Sequence, residues 1–263
     1  VHVGEGRGVE SRGVAGGGER EGPGGVAGLA GLGDLDVNDA FSAANRADAS
    51  TGGLAHKLPA FAGRAMEAEL DALDKALGSP EHPVAAVVGG AKVSTKLDVL
   101  KHLVTKVDHL VIGGGMANTF LAARGVDVGK SLCEHELTGT AEKIFEAADS
   151  ANCTIHLPYD VVVSKEFRAN PPVRTVNVHE VAADEMTLDV VPAATEALAD
   201  VLKNSRTLVW NGPLGPFDTP PFDHATVALA QTAAALTKSG PPVSVAGRSD
   251  PASAAHRARS RAR

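Results

Sequence analysis

The chain has 263 residues, 43% of them hydrophobic and 3% aromatic, which is enough apolar content for one large domain or two small ones. A net charge of −7 argues against general binding to nucleic acid. Two cysteines, Cys133 and Cys153, do not make a disulfide framework and point to a reducing, cytoplasmic setting; no apolar run reaches the roughly 18 residues that cross a bilayer, and no secretory segment opens the chain.

Residues 1–28 hold eleven of the 29 glycines without periodicity. Such a segment buries too little apolar surface to offset its ordering entropy and reads as low-complexity. Regular patterning starts near Leu29. LDVNDAF (35–41) reads as a short strand ending in a polar turn, and AGRAMEAELDALDKAL (62–77) as an amphipathic helix with Leu70, Leu73 and Leu77 on one face. VAAVV (84–88) is a buried strand, broken at Gly89-Gly90 and followed by a helix over 92–107. HLVIGGGMANTFLAARG (109–125) repeats the scheme of strand, glycine turn and helix. A helix over 140–151 precedes strand 153–158 and the run VVV (161–163). Helix 192–203 leads to strand 206–210 and the loop NGPLGPF (211–217). Helix 224–240, glycine at its end, leads to strand 242–247. The stretch 248–263 is a basic tail of Ala, Ser and Arg.

The alternation predicts an α/β domain with a mostly parallel sheet. Four turns then fall at carboxyl ends of strands: Gly89-Gly90, Gly113 to Gly115, Asn211-Gly212-Pro213 and Gly247. In an open α/β sheet that edge is where ligands bind. Lys92 and Lys96, four apart, would share one face of the first turns of helix 92–107. Cations are unfavourable at a helix amino end, so two lysines beside a Gly-Gly turn point to an anion held by both and by backbone N–H groups. The competing reading is a solvated helix face after an ordinary tight turn. The Walker pattern GxxxxGK[ST] and a full GxGxxG are absent.

The segments VNDAFSAANRADAS, VVGGAKVSTK, LVIGGGMANTFL and TLVWNGPLGPF, in a compatible order and spacing, resemble the phosphoglycerate kinase family over about residues 29–247. The resemblance implies two α/β domains joined by a long helix, and transfer of a phosphoryl group between 1,3-bisphosphoglycerate and ADP to give 3-phosphoglycerate and ATP, with Mg²⁺. It implies a doubly wound nucleotide-binding domain over 81–247, a linking helix over 62–80 and a remnant of the first, substrate-binding domain over 29–61. By resemblance Lys96 lies against the transferring phosphoryl group, with Lys92 beside it on the nucleotide phosphates. Gly89, Gly90, Ala91, Gly114 and Gly115 line the nucleotide pocket, and Asn211, Gly212 and Pro213 form the loop beside the phosphates. Asp218 stands where the family usually has a glutamate on the ribose hydroxyls. Arg46 matches an arginine that grips the phosphate of phosphoglycerate, a task that suits a guanidinium. No residue is assigned to metal. A monomer in the cytoplasm is implied, with neither nucleic acid nor membrane as partner.

The chain also departs from the family. Asn45 and Asp48 replace histidines beside Arg46, Val191 replaces a glycine before Pro192, and Gly247-Arg248-Ser249-Asp250 stands where the family continues GGGDT. The opening strand of the first domain and its other substrate arginines are not found. Both ends change composition abruptly, which is expected either from out-of-frame translation of a GC-rich gene or from tails on a truncated protein. Three functions follow: the kinase itself, a nucleotide-binding remnant impaired in catalysis, or an inert fragment.

Overall fold

A computed structural model describes residues 23–43, 48–74, 78–239 and 243–246. The chain divides into two compact units, residues 1–73 and 74–263.

In the first unit, β1 (Asp36–Asn38) pairs in parallel with β2 (Ala60–Ala62), accompanied by helices α1 (Pro23–Ala30) and α2 (Arg64–Leu73). The carboxylate of Asp39 accepts from the amides of Ala65 (2.7 Å) and Met66 (2.9 Å), satisfying donors that the first turn of α2 leaves open. Met66 is buried in this helix, whereas Leu70 is 47% exposed. Arg46, Leu77 and residues 1–22 lie outside the described residues.

The second unit is built on a five-stranded parallel sheet of β3 (Val84–Val88), β4 (His109–Ile112), β5 (Thr154–His156), β9 (Thr207–Asn211) and β10 (Val243–Ala246), in the order β10-β9-β3-β4-β5. The chain runs outward from β3 to β5 and then returns to the other side of β3. The sheet is therefore doubly wound, and its topological switch point lies between β3 and β9. Successive residues of β3 face opposite layers. Val84, Ala86 and Val88 pack with Leu100, Phe120 and Ile144 from α3 (Leu97–Leu103), α4 (Gly115–Ala123) and α5 (Thr138–Ser150). Ala85 and Val87 pack with Leu198, Leu202 and Leu229 from α6 (Pro192–Lys203) and α7 (His224–Ser239). Burial on both faces explains why this strand reads as an unbroken apolar run.

A second sheet, order β7-β6-β8, is antiparallel: β6 (Asp160–Ser164) lies between β7 (Arg174–Asn177) and β8 (Met186–Val190). Strands β7 and β8 carry no apolar run and escape periodicity: Arg174 and Thr175 are exposed on β7, and Met186, Thr187 and Leu188 are half-buried on β8. Arg174 closes this sheet with two bonds to Glu185, at 2.7 and 2.6 Å, and holds that carboxyl down at about 2.

Two expectations are overturned: residues 23–28, read as part of an unordered low-complexity segment, open helix α1 with Val26 buried, and the lysine turn is not helical. The segment 92–96 is a turn, and the helix predicted over 92–107 is confined to Leu97–Leu103. Local bonds compete with the helix here: the Thr95 hydroxyl donates to Lys92 O at 2.8 Å, and Glu134 captures Ser94. Lys92 and Lys96 therefore do not share a helix face, and Lys96 is the N-cap residue of α3.

Candidate functional site: a glycine-walled cleft at the switch point

Three of the four predicted turns meet at the carboxyl edge of the main sheet; Gly247 lies outside the described residues. Backbone bonds lock them together. The Gly89 amide donates to Asn211 O (2.9 Å), Gly113 to Val88 O (3.0 Å), Gly114 to Leu214 O (2.9 Å) and Met116 to Gly90 O (3.0 Å). The contacts are too close for side chains. A Cβ on Gly89 would lie 1.8 Å from Pro213 O, one on Gly212 would lie 2.2 Å from Gly89 O, and one on Gly114 would lie 2.6 Å from Gly90 O. Gly114 also has φ +68°, a conformation that favours glycine.

This knot forms one end of a cleft of 600 Å³. Of the residues that the resemblance names, Gly90, Ala91, Gly114, Gly115, Pro213 and Asp218 line it. Gly89 and Gly212 lie behind that wall, packed on each other. Lys96 adjoins it: its Nζ donates to Gly89 O (2.6 Å), Asn211 O (3.0 Å) and Asn211 Oδ1 (2.7 Å). Lys92 sits exposed on the turn before α3.

The far wall was not anticipated. Strand β8 contributes Met186 to Val190, and Leu132, Phe167 and Asn118 are among the other lining residues. Leu132 and Phe167 are 50% and 59% exposed, apolar surface placed where a flat ring could cover it. Asn118 is 1% exposed; its Nδ2 donates to Leu132 O at 3.1 Å, and its Oδ1 has no hydrogen-bond partner among the described residues. The one sequence signal for β8 is the aspartate of TLDVV, a charged side chain set between Leu188 and Val190. Burial pushes the Asp189 carboxyl up to about 7, against the amides of Val190, Ala225 and His224 that favour its charge. The Ala225 and His224 amides tie β8 to the start of α7, while Thr226 Oγ1 accepts from the Leu214 amide at 3.0 Å.

A second pocket, of 440 Å³, lies by Asn152 to Ile155 at the amino end of β5. Among the described residues no three His, Cys, Asp or Glu side chains converge as a metal site, and no helix is long and apolar enough to cross a membrane.

The family model of phosphoglycerate kinase matches residues 17–263, a wider range than the 29–247 of the resemblance. A phosphoglycerate kinase of Rhizorhabdus wittichii is 77% identical over 230 residues, covering 88% of this chain and 58% of that protein. One of Novosphingobium aromaticivorans is 75% identical over 241 residues, covering 91% and 61%. The phosphoglycerate kinase structure from Coxiella burnetii superposes with a TM-score of 0.80 at 40% identity, over 92% of this chain and 62% of its own. That from Pyrococcus horikoshii gives 0.68 at 25% identity, over 88% and 62%. The chain thus spans about three-fifths of the length of the relatives it matches.

Proposed function

The chain belongs to the phosphoglycerate kinase family, and we propose that it carries the nucleotide half of that chemistry: binding ADP or ATP across the β3–β9 switch point for phosphoryl exchange between 1,3-bisphosphoglycerate and ADP, giving 3-phosphoglycerate and ATP. The observation that carries this reading is the meeting of three glycine turns beside an apolar slot. Bare backbone at one end of a 600 Å³ cleft suits phosphates, and Leu132 and Phe167 suit the faces of a base.

Phosphoryl transfer asks for alignment and charge neutralisation more than for covalent help. Lys96 is the cation nearest the glycine knot. Its three oxygen partners fix its ammonium between the ends of β3 and β9. Lys92, exposed on the same turn, is free to swing toward a polyphosphate. Asp218 on the cleft wall is a ligand for ribose hydroxyls, one methylene shorter than the family's usual glutamate. Arg46 would hold the phosphate of phosphoglycerate. Mg²⁺ would arrive on the nucleotide: the described residues offer no cage of three or more acidic, His or Cys groups, and this ion characteristically binds phosphate oxygens with one or two carboxylates. When bound it would neutralise phosphate charge. The reading extends to a monomer in the cytoplasm, supported by the two free thiols Cys133 and Cys153 and by the family.

Calorimetric titration with MgADP tests the binding, and ATP-dependent turnover of 3-phosphoglycerate tests the reaction. Absence of saturable MgADP binding overturns the nucleotide assignment. Binding without turnover restricts this chain to the nucleotide half.

A further inference from the structure

The turn that carries both lysines is held from two directions. At one end Lys96 bonds across to Gly89 and Asn211. At the other, the carboxylate of Glu134 receives two donors from Ser94: the amide at 3.0 Å and the hydroxyl at 2.5 Å, on separate oxygens. Glu134 is 40 residues from Ser94 in sequence and is itself anchored. Its amide donates to Thr119 Oγ1 at 3.0 Å, and Asn118 Nδ2 holds Leu132 O at 3.1 Å two residues earlier. Thr119 and Asn118 are 1% exposed on the rigid helix α4. Two buried side chains of α4 thus fix the 132–134 segment, and that segment fixes the turn bearing the lysines.

We propose that Glu134 is a positioning residue for the phosphate-facing turn 91–96, acting through Ser94. The proposal rests on the nucleotide reading above. A carboxylate beside a polyphosphate site would normally repel its ligand. Here its charge is spent on Ser94, so it orders the turn while its local field is partly neutralised by donors. Burial alone would raise its pKa, but the Ser94 hydroxyl and amide, the Val93 amide and nearby Lys92 outweigh that and hold the carboxyl below its ordinary value. Lys92 is near enough that its charge adds to the forces holding the Glu134 carboxyl down.

The test compares the wild-type chain with Glu134→Ala, Glu134→Gln, Ser94→Ala and the Glu134→Ala/Ser94→Ala double variant. Two quantities are read: MgADP affinity by calorimetry, and hydrogen exchange of peptides covering 91–97 without nucleotide. Loss of one charge-assisted clamp predicts a roughly three- to tenfold weaker affinity in Glu134→Ala. Glu134→Gln, which still accepts hydrogen bonds, should recover part of it. The double variant should be no weaker than Glu134→Ala, because both changes break one contact. Exchange in 91–97 should quicken in every variant while the melting temperature stays within a few degrees. If wild type binds MgADP and Glu134→Ala binds equally well, or if the two single effects add, the positioning role is wrong while the nucleotide reading stands. If wild type itself does not bind MgADP, the nucleotide reading fails; exchange that is unchanged in Glu134→Ala then overturns the clamp as well, and quickened exchange leaves the clamp as a structural fact.

Discussion

The Lys96 ammonium donates to both oxygens of Asn211, at 3.0 Å to the main-chain carbonyl and 2.7 Å to Oδ1, across 115 residues of sequence. Asn211 closes β9, the parallel neighbour of β3, and Lys96 is the N-cap residue of α3, the helix that follows β3. Their bond, with a third from Lys96 to Gly89 O at 2.6 Å, staples the switch point of the sheet shut at its ligand edge. A cation satisfied by three oxygens is also ordered before any anion arrives, which lowers the entropy cost of binding one.

Replacing Lys96 by Met keeps the stem and deletes the charge. Three oxygen acceptors lose a donor, but they are partly solvent-accessible, so the stability loss should be about 1 kcal/mol, read by urea denaturation. The affinity for MgADP should fall at least tenfold, because the charge nearest the phosphates is gone. Lys96→Arg should not restore it: a planar guanidinium cannot converge on the three oxygens that an ammonium meets at once. Equal affinity for wild type and Lys96→Met would remove Lys96 from the phosphate site.

The glycine knot makes a sharper stability prediction. A Cβ at Gly89 would be placed 1.8 Å from Pro213 O, and the obstacle is backbone. Either the 211–217 loop or β3 must give way, so Gly89→Ala should cost about 2–4 kcal/mol and abolish MgADP binding. Gly139, in the first turn of α5, is the control, with nothing within 4 Å of an added Cβ. Gly139→Ala should be neutral or stabilising by up to about 1 kcal/mol, with binding intact. The two melting curves decide the matter; similar losses in both would refute the crowding at Gly89.

Much of this was legible in the sequence. VAAVV is apolar throughout because β3 is covered by helices on both faces, and Gly89-Gly90, Gly113 to Gly115 and Asn211-Gly212-Pro213 mark the strand ends because backbones there touch. What failed to show were features set by distant partners. The turn at 92–96 looks helical by spacing, and it is kept from the helix by Glu134, forty residues on. The far wall of the cleft comes from β8, whose MTLDV has neither an apolar run nor clean alternation: Asp189 is buried there, satisfied by amides of β8 and α7 that lie together only in the fold. Asn118 and Leu132 likewise become pocket residues through a single hydrogen bond between a helix and a loop.

The two thiols should differ in reactivity. Cys153 is buried against the helices that cover β4, and burial, with Asp108 nearby, pushes its thiol up to about 11. Cys133 is half-buried, and its pKa is raised by burial and by Glu136 and Glu134, partly offset by a bond with Thr119. Thiolate is the reacting form, so neither should label quickly at pH 7. Cys133 should react first under native conditions, and Cys153 only at the rate of opening of the fold. Titration with a chromogenic disulfide, in wild type and Cys133→Ser, counts the two phases. Rapid labelling of Cys153 in the folded chain would contradict its burial.

Asp189 gives the pH dependence. Burial raises its folded pKa to about 7 from an ordinary 3.8, with Asp223 adding to the rise and amides opposing it. Between those two values the native chain holds a proton that the unfolded chain has released. Stability must therefore fall as pH rises through that window: the contribution is fully present below the unfolded value and is lost once the pH passes the folded one. One such group changes the unfolding free energy by at most about 1.4 kcal/mol per pH unit. Asp189→Asn removes the titration while keeping one acceptor for the amides of β8 and α7. Unfolding free energies of the two proteins should thus converge, or cross in favour of the variant, as pH is raised from 5 to 8. The measurement is urea denaturation at half-unit steps. Parallel curves for wild type and Asp189→Asn would mean that this carboxyl keeps an ordinary pKa in the fold, and that the amides at the start of α7 outweigh its burial.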